Sequence, residues 1–220
     1  MARSRHHVAA TALVGLTIAL AACQPSADDR DAEATATVAA ASETVAPEDS
    51  VVATQIVDAP FGSVRIEQIS ITDGSHAESG RLAISYLDGD KVKKSYPKAV
   101  ELGSFGAMSG FKVDNSFSDY PMVVSEGGGT WQGNTCTWTV LTELRPTGPV
   151  EVAQFESAYD NSGAVEQSPT KVDGEISSVA RDQSFTVTFT GTEAFTALYV
   201  RDGDKGYKLQ GGKDNQLGGC

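Results

Sequence analysis

The segment QSFTVTFT, residues 183–190, alternates large apolar side chains with threonines along its length. Successive side chains of an extended strand point to opposite faces, so Phe185, Val187 and Phe189 would share one face of a sheet. The threonines would lie on the other face, where β-branched polar residues suit a half-exposed sheet surface. The segment therefore predicts a strand with one face in a core and the other near solvent.

Other stretches on either side of this segment repeat its period of two. Leu82, Ile84 and Tyr86 form a second apolar face. Residues 150–159 are ambiguous, because Val152 and Tyr159 have helical spacing around Phe155. We expect a strand there, paired with residues 137–144 through a turn at residues 145–148.

Short strands with turn residues between them continue through the rest of the chain. The tetrapeptide Asp-Gly-Asp-Lys occurs at residues 88–91 and again at 202–205, each time after a β-prone run that contains tyrosine. We interpret both copies as turns in which glycine takes positive φ, since neither continues into a complete calcium loop. Eight to ten such strands predict an all-β fold, either an antiparallel β-sandwich or a partly open β-barrel.

The first residues of the chain have the organisation of an export signal. Arginines and histidines at residues 2–7 precede an apolar run at residues 8–20, which is short for a finished membrane span. Leu20-Ala21-Ala22-Cys23 follows and resembles the lipobox of bacterial lipoproteins. The resemblance implies that residues 1–22 are a signal peptide and that Cys23 becomes the lipidated first residue. The alternatives are an ordinary secretory signal and a single-pass anchor.

The lipoprotein resemblance also implies a location. Two or more acyl chains on Cys23 would anchor the protein stably in a membrane. Gln24 follows the cysteine where aspartate retains lipoproteins in the inner membrane of enteric bacteria, which implies transport to the outer membrane, facing the periplasm.

An acidic, low-complexity segment separates the predicted anchor from the predicted domain. Residues 23–54 are mainly Ala, Thr, Ser, Pro, Asp and Glu, and such a segment cannot bury enough surface to offset its ordering entropy. We therefore predict a disordered linker to residue 54 and one all-β domain over residues 55–220. That domain carries 14 Lys and Arg against 22 Asp and Glu. Its negative charge argues against nucleic acid as a partner.

Three cysteines divide between the anchor and the domain. With Cys23 lipidated, Cys136 and Cys220 remain in an exported chain, where two thiols are expected to form a disulfide. The bond would fasten the C-terminus to the rest of the domain. The alternative is a free C-terminal thiol that joins another protein.

No catalytic motif is present in the predicted domain. Its only histidine is His76, in a loop-like stretch, so multi-histidine zinc sites are excluded and we expect neither a metal nor a cofactor. A Gly-x-Ser-x-Gly elbow is also missing. We expect a non-enzymatic protein.

The most unusual neighbourhood surrounds the glycine run at residues 127–129, which we interpret as a flexible loop. Asp119 and Tyr120 precede it and Trp131 follows it. Aromatic rings beside adaptable glycines are typical of protein interfaces and of surfaces that stack on glycans. The structural alternative is that both rings fill the end of the sandwich.

These features together predict a membrane-anchored binding module of the cell envelope. Its partner would be a protein, in the manner of an inhibitor or an assembly accessory, and the acidic domain would attract a basic one. The alternative function is binding of cell-wall glycan or a carbohydrate-acting hydrolase that uses paired carboxylates.

Overall fold

A computed structural model describes residues 49–212 and Leu217. The predicted signal peptide, Cys23, most of the predicted linker and Cys220 lie outside the described residues. No helix in the described part is long and apolar enough to cross a membrane. The strands are β1 Asp49–Ala59, β2 Gly62–Ile71, β3 Gly80–Asp88, β4 Lys91–Leu102, β5 Gly110–Asp114, β6 Met122–Trp131, β7 Asn134–Arg145, β8 Gly148–Asp160, β9 Lys171–Ala180, β10 Ser184–Gly191, β11 Phe195–Arg201 and β12 Tyr207–Gly212.

The strands form two antiparallel sheets in which every hydrogen-bonded neighbour is also the next strand in sequence. The first sheet has the order β1-β2-β3-β4, and the second has the order β12-β11-β10-β9-β8-β7-β6-β5. β5 and β12 are the edges of the larger sheet, so it is not closed into a barrel within the described residues. The all-β prediction is confirmed, and its form is the sandwich-like arrangement of two sheets.

One hydrophobic core lies within the eight-stranded sheet. β8 and β9 pair only at residues 158–160 and 171–173, and β12 lies against β8, so the sheet bends and folds β9–β12 over β6–β8. Phe185, Val187 and Phe189 are almost completely buried in this core, as their alternation predicts. The ring of Phe185 stacks on Tyr199 with centroids 4.7 Å apart.

A second core lies between the two sheets. Val64, Ile66, Leu82 and Ile84 of the small sheet pack with residues of β6 and β7, including Val123. β6 and β7 therefore bury apolar side chains on both faces, whereas β1 is largely exposed. Each large aliphatic side chain buried in this way stabilises the fold by about 1.5–3 kcal/mol.

The ambiguous segment at residues 150–159 is a strand, as expected. β8 pairs with β7 from Arg145↔Gly148 onward, which confirms the predicted turn. The register shifts at two places, between Leu141 and Thr142 and between Thr137 and Trp138. Each β-bulge changes which residues face the core, and two bulges in one strand produce the spacing that resembles a helix.

The two Asp-Gly-Asp-Lys copies are both turns. The first joins β3 to β4 with Gly89 at φ 57°, and the second joins β11 to β12 with Gly203 at φ 54°. The second contains a short 3-10 turn, Gly203–Lys205. In the part of the chain that is described, no group of three or more His, Cys, Asp or Glu side chains is arranged to hold a metal.

The folded chain begins before the predicted boundary at residue 55. β1 starts at Asp49 and pairs with β2 from Asp49↔Ile71 to Ala59↔Gly62, with a bulge between Val51 and Ala53. The composition of residues 49–54 is polar enough to resemble the linker, yet backbone pairing with β2 incorporates them into the sheet. Residues 49–54 are therefore part of the edge strand and not of the linker.

Candidate functional site

Three aromatic side chains from three separate connections meet at one end of the sandwich. His76 comes from the β2–β3 loop, Phe105 from the β4–β5 loop and Trp131 from the end of β6. The His76 ring packs edge-on against both others, with centroid distances of 4.8 Å to Phe105 and 5.3 Å to Trp131. Phe105 is 58% exposed and Trp131 is 42% exposed. We call these three residues the aromatic cluster.

Backbone and side-chain hydrogen bonds fix the three connections relative to one another. His76 Nε2 lies 3.0 Å from the carbonyl oxygen of Thr130. Ser104 Oγ donates to the carbonyl of Gly128 at 3.1 Å. The backbone of Gly106 donates to the carbonyl of Glu78 and accepts from the amide of Ile71, both at 2.8 Å. These hydrogen bonds hold the three side chains of the cluster on a preorganised frame.

The backbone at Phe105 takes a conformation that suits glycine or asparagine. Phe105 and Gly106 are the central residues of a tight turn, with φ of 53° and 71°, closed by two hydrogen bonds between Ser104 and Ala107. A bulky residue with positive φ is uncommon and is locally unfavourable. Phe105 combines this backbone cost with an exposed apolar ring, so neither the turn nor the core explains its presence.

The glycine run at residues 127–129 belongs to β6 and is not the predicted flexible loop. It pairs in register with β7, where Gly129 lies opposite Cys136. A Cβ on Gly128 would lie 2.0 Å from the carbonyl oxygen of Cys136, and one on Gly129 would lie 2.6 Å from the Trp131 ring. The glycines are therefore required by close approach within the sheet, and Gly129 makes room for the Trp131 ring.

A two-residue hairpin turn, Gln132-Gly133, follows Trp131 and joins β6 to β7. Gln132 and Gly133 have φ of 50° and 81°, the two positive values of a type I′ turn. Asn134 Nδ2 donates to the carbonyl of Trp131 at 3.3 Å. This geometry places Trp131 at the tip of β6 in a defined orientation.

The structure separates Trp131 from the other two predicted partner-binding residues. Asp119 and Tyr120 precede the start of β6, whereas Trp131 ends it, and a strand of this length spans about 30 Å. The Asp119 side chain is 85% exposed and forms an ion pair with Arg181, whose Nη2 lies 2.6 Å from Oδ1. The Tyr120 ring packs near Phe61, with centroids 6.1 Å apart. The three residues do not form one surface.

A buried charge network lies beneath Tyr120. The Glu143 carboxylate is 0% exposed and receives a bidentate contact from Arg201, with N–O distances of 3.0 and 3.1 Å. Arg145 Nε and Ser118 Oγ donate to the same carboxylate at 2.6 and 2.7 Å. Burial raises the pKa of Glu143, but the hydrogen bonds from Arg201, Ser118 and Arg145 outweigh burial and lower the pKa overall.

A second buried carboxylate, Glu156, contacts the C-terminal part of the chain. Its Oε2 accepts the backbone N–H of Leu217 at 3.0 Å, whereas its buried Oε1 has no hydrogen-bond partner. Burial raises the pKa of Glu156, and the Leu217 contact lowers it only in part. Glu143 lies opposite Val150 in the β7–β8 register, so it is separated from Glu156 by roughly 20 Å of strand. That is wider than the spacing of glycosidase carboxylate pairs.

The structure describes only one of the two cysteines of the predicted disulfide, Cys136. Cys136 is buried in the core of the eight-stranded sheet, and Leu217 is buried in the same core. Cys220 lies outside the described residues, so the bond between Cys136 and Cys220 stays a prediction. Three residues of chain reach about 10 Å, which makes the position of Leu217 consistent with that bond.

Comparison of the chain with protein-family models, with curated proteins and with solved structures gives no match.

Sequence reasoning missed several residues of these sites. His76 resembles an ordinary loop histidine, and Phe105 lies in a glycine-rich stretch that predicts only the absence of a helix. Phe105 next to Gly106 between two strands was an available signal, because a large apolar residue in a turn is unusual. Glu143 was also detectable as a charge within an apolar strand, but its partner Arg201 is remote in sequence.

Proposed function

We propose that this protein is a non-enzymatic binding module of the bacterial cell envelope, anchored through lipidated Cys23, and that it binds a protein partner through the aromatic cluster. The observation that carries the proposal is Phe105, an exposed aromatic residue held at positive φ beside exposed Trp131. Exposed, rigid aromatic side chains are typical anchors of protein interfaces. Local strain at an exposed site favours a functional origin over a structural one.

The position of the cluster agrees with tethering. β1 begins at Asp49 opposite Ile71, and Ile71 donates its N–H to Gly106 in the turn that carries Phe105. The chain therefore enters the described domain at the end that carries the cluster. With a flexible linker of about 25 residues, this end would stay within about 30 Å of the anchor on average. A partner at or near the membrane surface would be within reach.

The charge around the cluster favours a basic partner. Asp73 and Glu78 lie in the same loop as His76, and the Ser75 N–H donates to the Glu78 carboxylate and lowers its pKa. Acidic groups beside an apolar contact raise the association rate with a basic protein and make that rate dependent on salt.

The first experiment identifies the partner and tests the cluster together. The chain without its signal peptide and Cys23, residues 24–220, is immobilised and exposed to envelope extract at low and moderate salt, and captured proteins are identified by mass spectrometry. The purified candidate is then titrated against wild type, Trp131→Ala and Tyr120→Ala. We expect Trp131→Ala to weaken binding at least tenfold and Tyr120→Ala, at the opposite end, to leave binding unchanged.

A third variant separates binding from folding. Phe105→Asn places a residue that tolerates positive φ in the turn, so we expect equal or higher stability by up to about 1 kcal/mol together with weaker binding. If Phe105→Asn and Trp131→Ala both bind as wild type does, the cluster is not the interface. Loss of binding in Tyr120→Ala alone would move the interface to the other end of the domain.

A second candidate function is binding of cell-wall glycan. Trp131 supports it, since a partly exposed indole at a strand tip can stack on the face of a sugar ring. Titration with soluble peptidoglycan fragments tests it. Saturable binding of the fragments that is lost in Trp131→Ala would favour glycan as the ligand. If binding does not saturate, a protein partner remains the proposed ligand.

A further inference from the structure

A cavity of about 610 Å³ opens at the end of the sandwich opposite the aromatic cluster. It lies between the β1–β2 turn, the β3–β4 turn and the β7–β8 turn, to which Phe61, Gly89 and Pro146 belong. Its volume is within the range of small-molecule sites. Its lining includes none of the predicted partner-binding residues Asp119, Tyr120 and Trp131 and none of the aromatic cluster.

One wall of the cavity is aromatic. Phe61 stacks on Tyr86 with centroids 5.4 Å apart and planes 17° apart, and Tyr96 packs edge-on against Tyr86 with centroids 5.8 Å apart. Phe61 and Tyr86 line the cavity directly. Stacked rings of this kind present a flat apolar surface to an acyl chain or a planar ring.

The lining of the cavity carries more positive than negative charge, in an otherwise acidic domain. Lys93 and Lys94 line it from β4, with Asp88 as the single lining acid. Lys93 forms no ion pair within residues 49–212. Lys94 Nζ donates to the carbonyl of Thr147 at 3.1 Å and lies 4.8 Å from the centroid of the Tyr96 ring. These two contacts hold the Lys94 ammonium group in place, and the Lys93 ammonium group is available to pair with an anion.

Tyr86 adds an unused donor beside the wall. The residue is 7% exposed, and its hydroxyl is buried without a hydrogen-bond partner. Burial raises the pKa of Tyr86, so the hydroxyl keeps its proton. A buried donor without an acceptor is unfavourable, and an acceptor that entered beside the ring would satisfy it.

We propose that this cavity binds a single-chain anionic amphiphile, with its apolar body against Phe61 and Tyr86 and its carboxylate or phosphate group on Lys93 and Lys94. The aromatic wall selects for the apolar part, and the two lysines select for the negative group. The site goes beyond the partner-binding function proposed above, since it lies at the other end of the domain and uses none of the aromatic cluster.

Isothermal titration of residues 24–220, kept free of detergent, tests the proposal with four probes. Dodecanoate and dodecyl phosphate are used below their micelle concentrations, with dodecanol and inorganic phosphate for comparison. We expect saturable one-to-one binding of at least one anionic probe, at least tenfold tighter than dodecanol, and none of inorganic phosphate. The preferred anionic probe identifies the head group as carboxylate or phosphate.

Charge-matched variants test the placement. The double variant Lys93→Gln/Lys94→Gln should bind the anionic probe at least tenfold more weakly than wild type. The control Lys98→Gln/Lys205→Gln removes the same amount of charge elsewhere in the domain and should leave the affinity unchanged. Equal loss in both double variants, equal affinity for dodecanol, or no saturable binding of either anionic probe would each overturn the proposal. Tyr86→Phe, which removes only the unpartnered hydroxyl, should fold at least as stably as wild type.

Discussion

Substitution of Arg201 by methionine would test the buried charge network most directly. The change keeps an apolar stem but removes both N–H···O contacts to the fully buried Glu143 carboxylate. Breaking a buried ion pair from one side costs about 3–5 kcal/mol, and because Arg145 and Ser118 remain, we expect about 2–4 kcal/mol here. For a domain of this size that corresponds to a fall in Tm of about 5–15 °C.

The assay is urea unfolding of residues 24–220 followed by tryptophan fluorescence, with Arg181→Met as the matched control. Arg181 pairs with Asp119 at the surface, where its side chain is 48% exposed and solvent screens the pair, so its loss should cost much less stability than the loss of Arg201. The double variant Glu143→Gln/Arg201→Met should be more stable than Arg201→Met alone, because the buried carboxylate, which Arg145 and Ser118 neutralise only in part, is gone.

The same network predicts a pH dependence with a defined sign. The pKa of Glu143 is lower in the folded protein, so its contribution to stability is present above the unfolded pKa of about 4.3 and is lost as pH falls further. The stability gap between wild type and Arg201→Met should narrow between pH 6 and pH 3. If Arg201→Met costs no more stability than Arg181→Met, or if the double variant is no more stable than Arg201→Met, then Arg201 does not stabilise the domain through the buried Glu143 carboxylate.

Three further predictions concern the glycine run, the second buried carboxylate and the cysteines. Gly128→Ala places a Cβ 2.0 Å from the Cys136 carbonyl oxygen and should destabilise the domain by about 1–3 kcal/mol in urea unfolding, whereas unchanged stability would mean that β6 shifts freely. Folding raises the pKa of Glu156, so the stability of the wild type falls as pH rises above about 4.3. The stability of Glu156→Gln relative to wild type should therefore increase between pH 4 and pH 7. Parallel stability profiles of the two proteins over this range would contradict the prediction. If Cys136 and Cys220 form a disulfide, an alkylating reagent without reductant should leave the intact mass of the protein unchanged. Reduction of the disulfide should lower the free energy of unfolding by up to about 4–5 kcal/mol. Alkylation of both thiols before reduction would exclude the disulfide.

The strands could be predicted largely from local pattern, since alternation identifies the face that each residue presents. Residues 183–190 illustrate this, because all three predicted inward residues are buried. The predicted flexible loop at residues 127–129 was wrong because glycine weakens strand propensity, and only the close approach of neighbouring backbone and side chains explains why a sheet accepts three glycines in succession. Residues 49–54 were assigned to the linker for the same kind of reason, since pairing with β2 and not composition makes them a strand.

The candidate sites could be predicted only in part. Trp131 was found because an aromatic residue beside glycines is conspicuous in the chain, but its grouping with Asp119 and Tyr120 followed sequence proximity, and an extended strand carries neighbours in sequence far apart in space. His76 and Phe105 reach Trp131 through loops that hydrogen-bond to one another across the end of the sandwich. Glu143 shows the same limit, because its ion pair with Arg201 joins strands β7 and β11 across the folded sheet.

The amino-acid sequence is enough to predict the all-β class and the faces of the clearest strands. It also predicts export, a lipid anchor at Cys23 and an acidic linker, which depend on short contiguous motifs. Which loops meet, which charges are neutralised in the interior and where a cavity remains become visible only in the folded domain. The physical reason is that side-chain alternation is a property of neighbouring residues, whereas the juxtaposition of loops depends on the order, bending and bulges of all the strands between them.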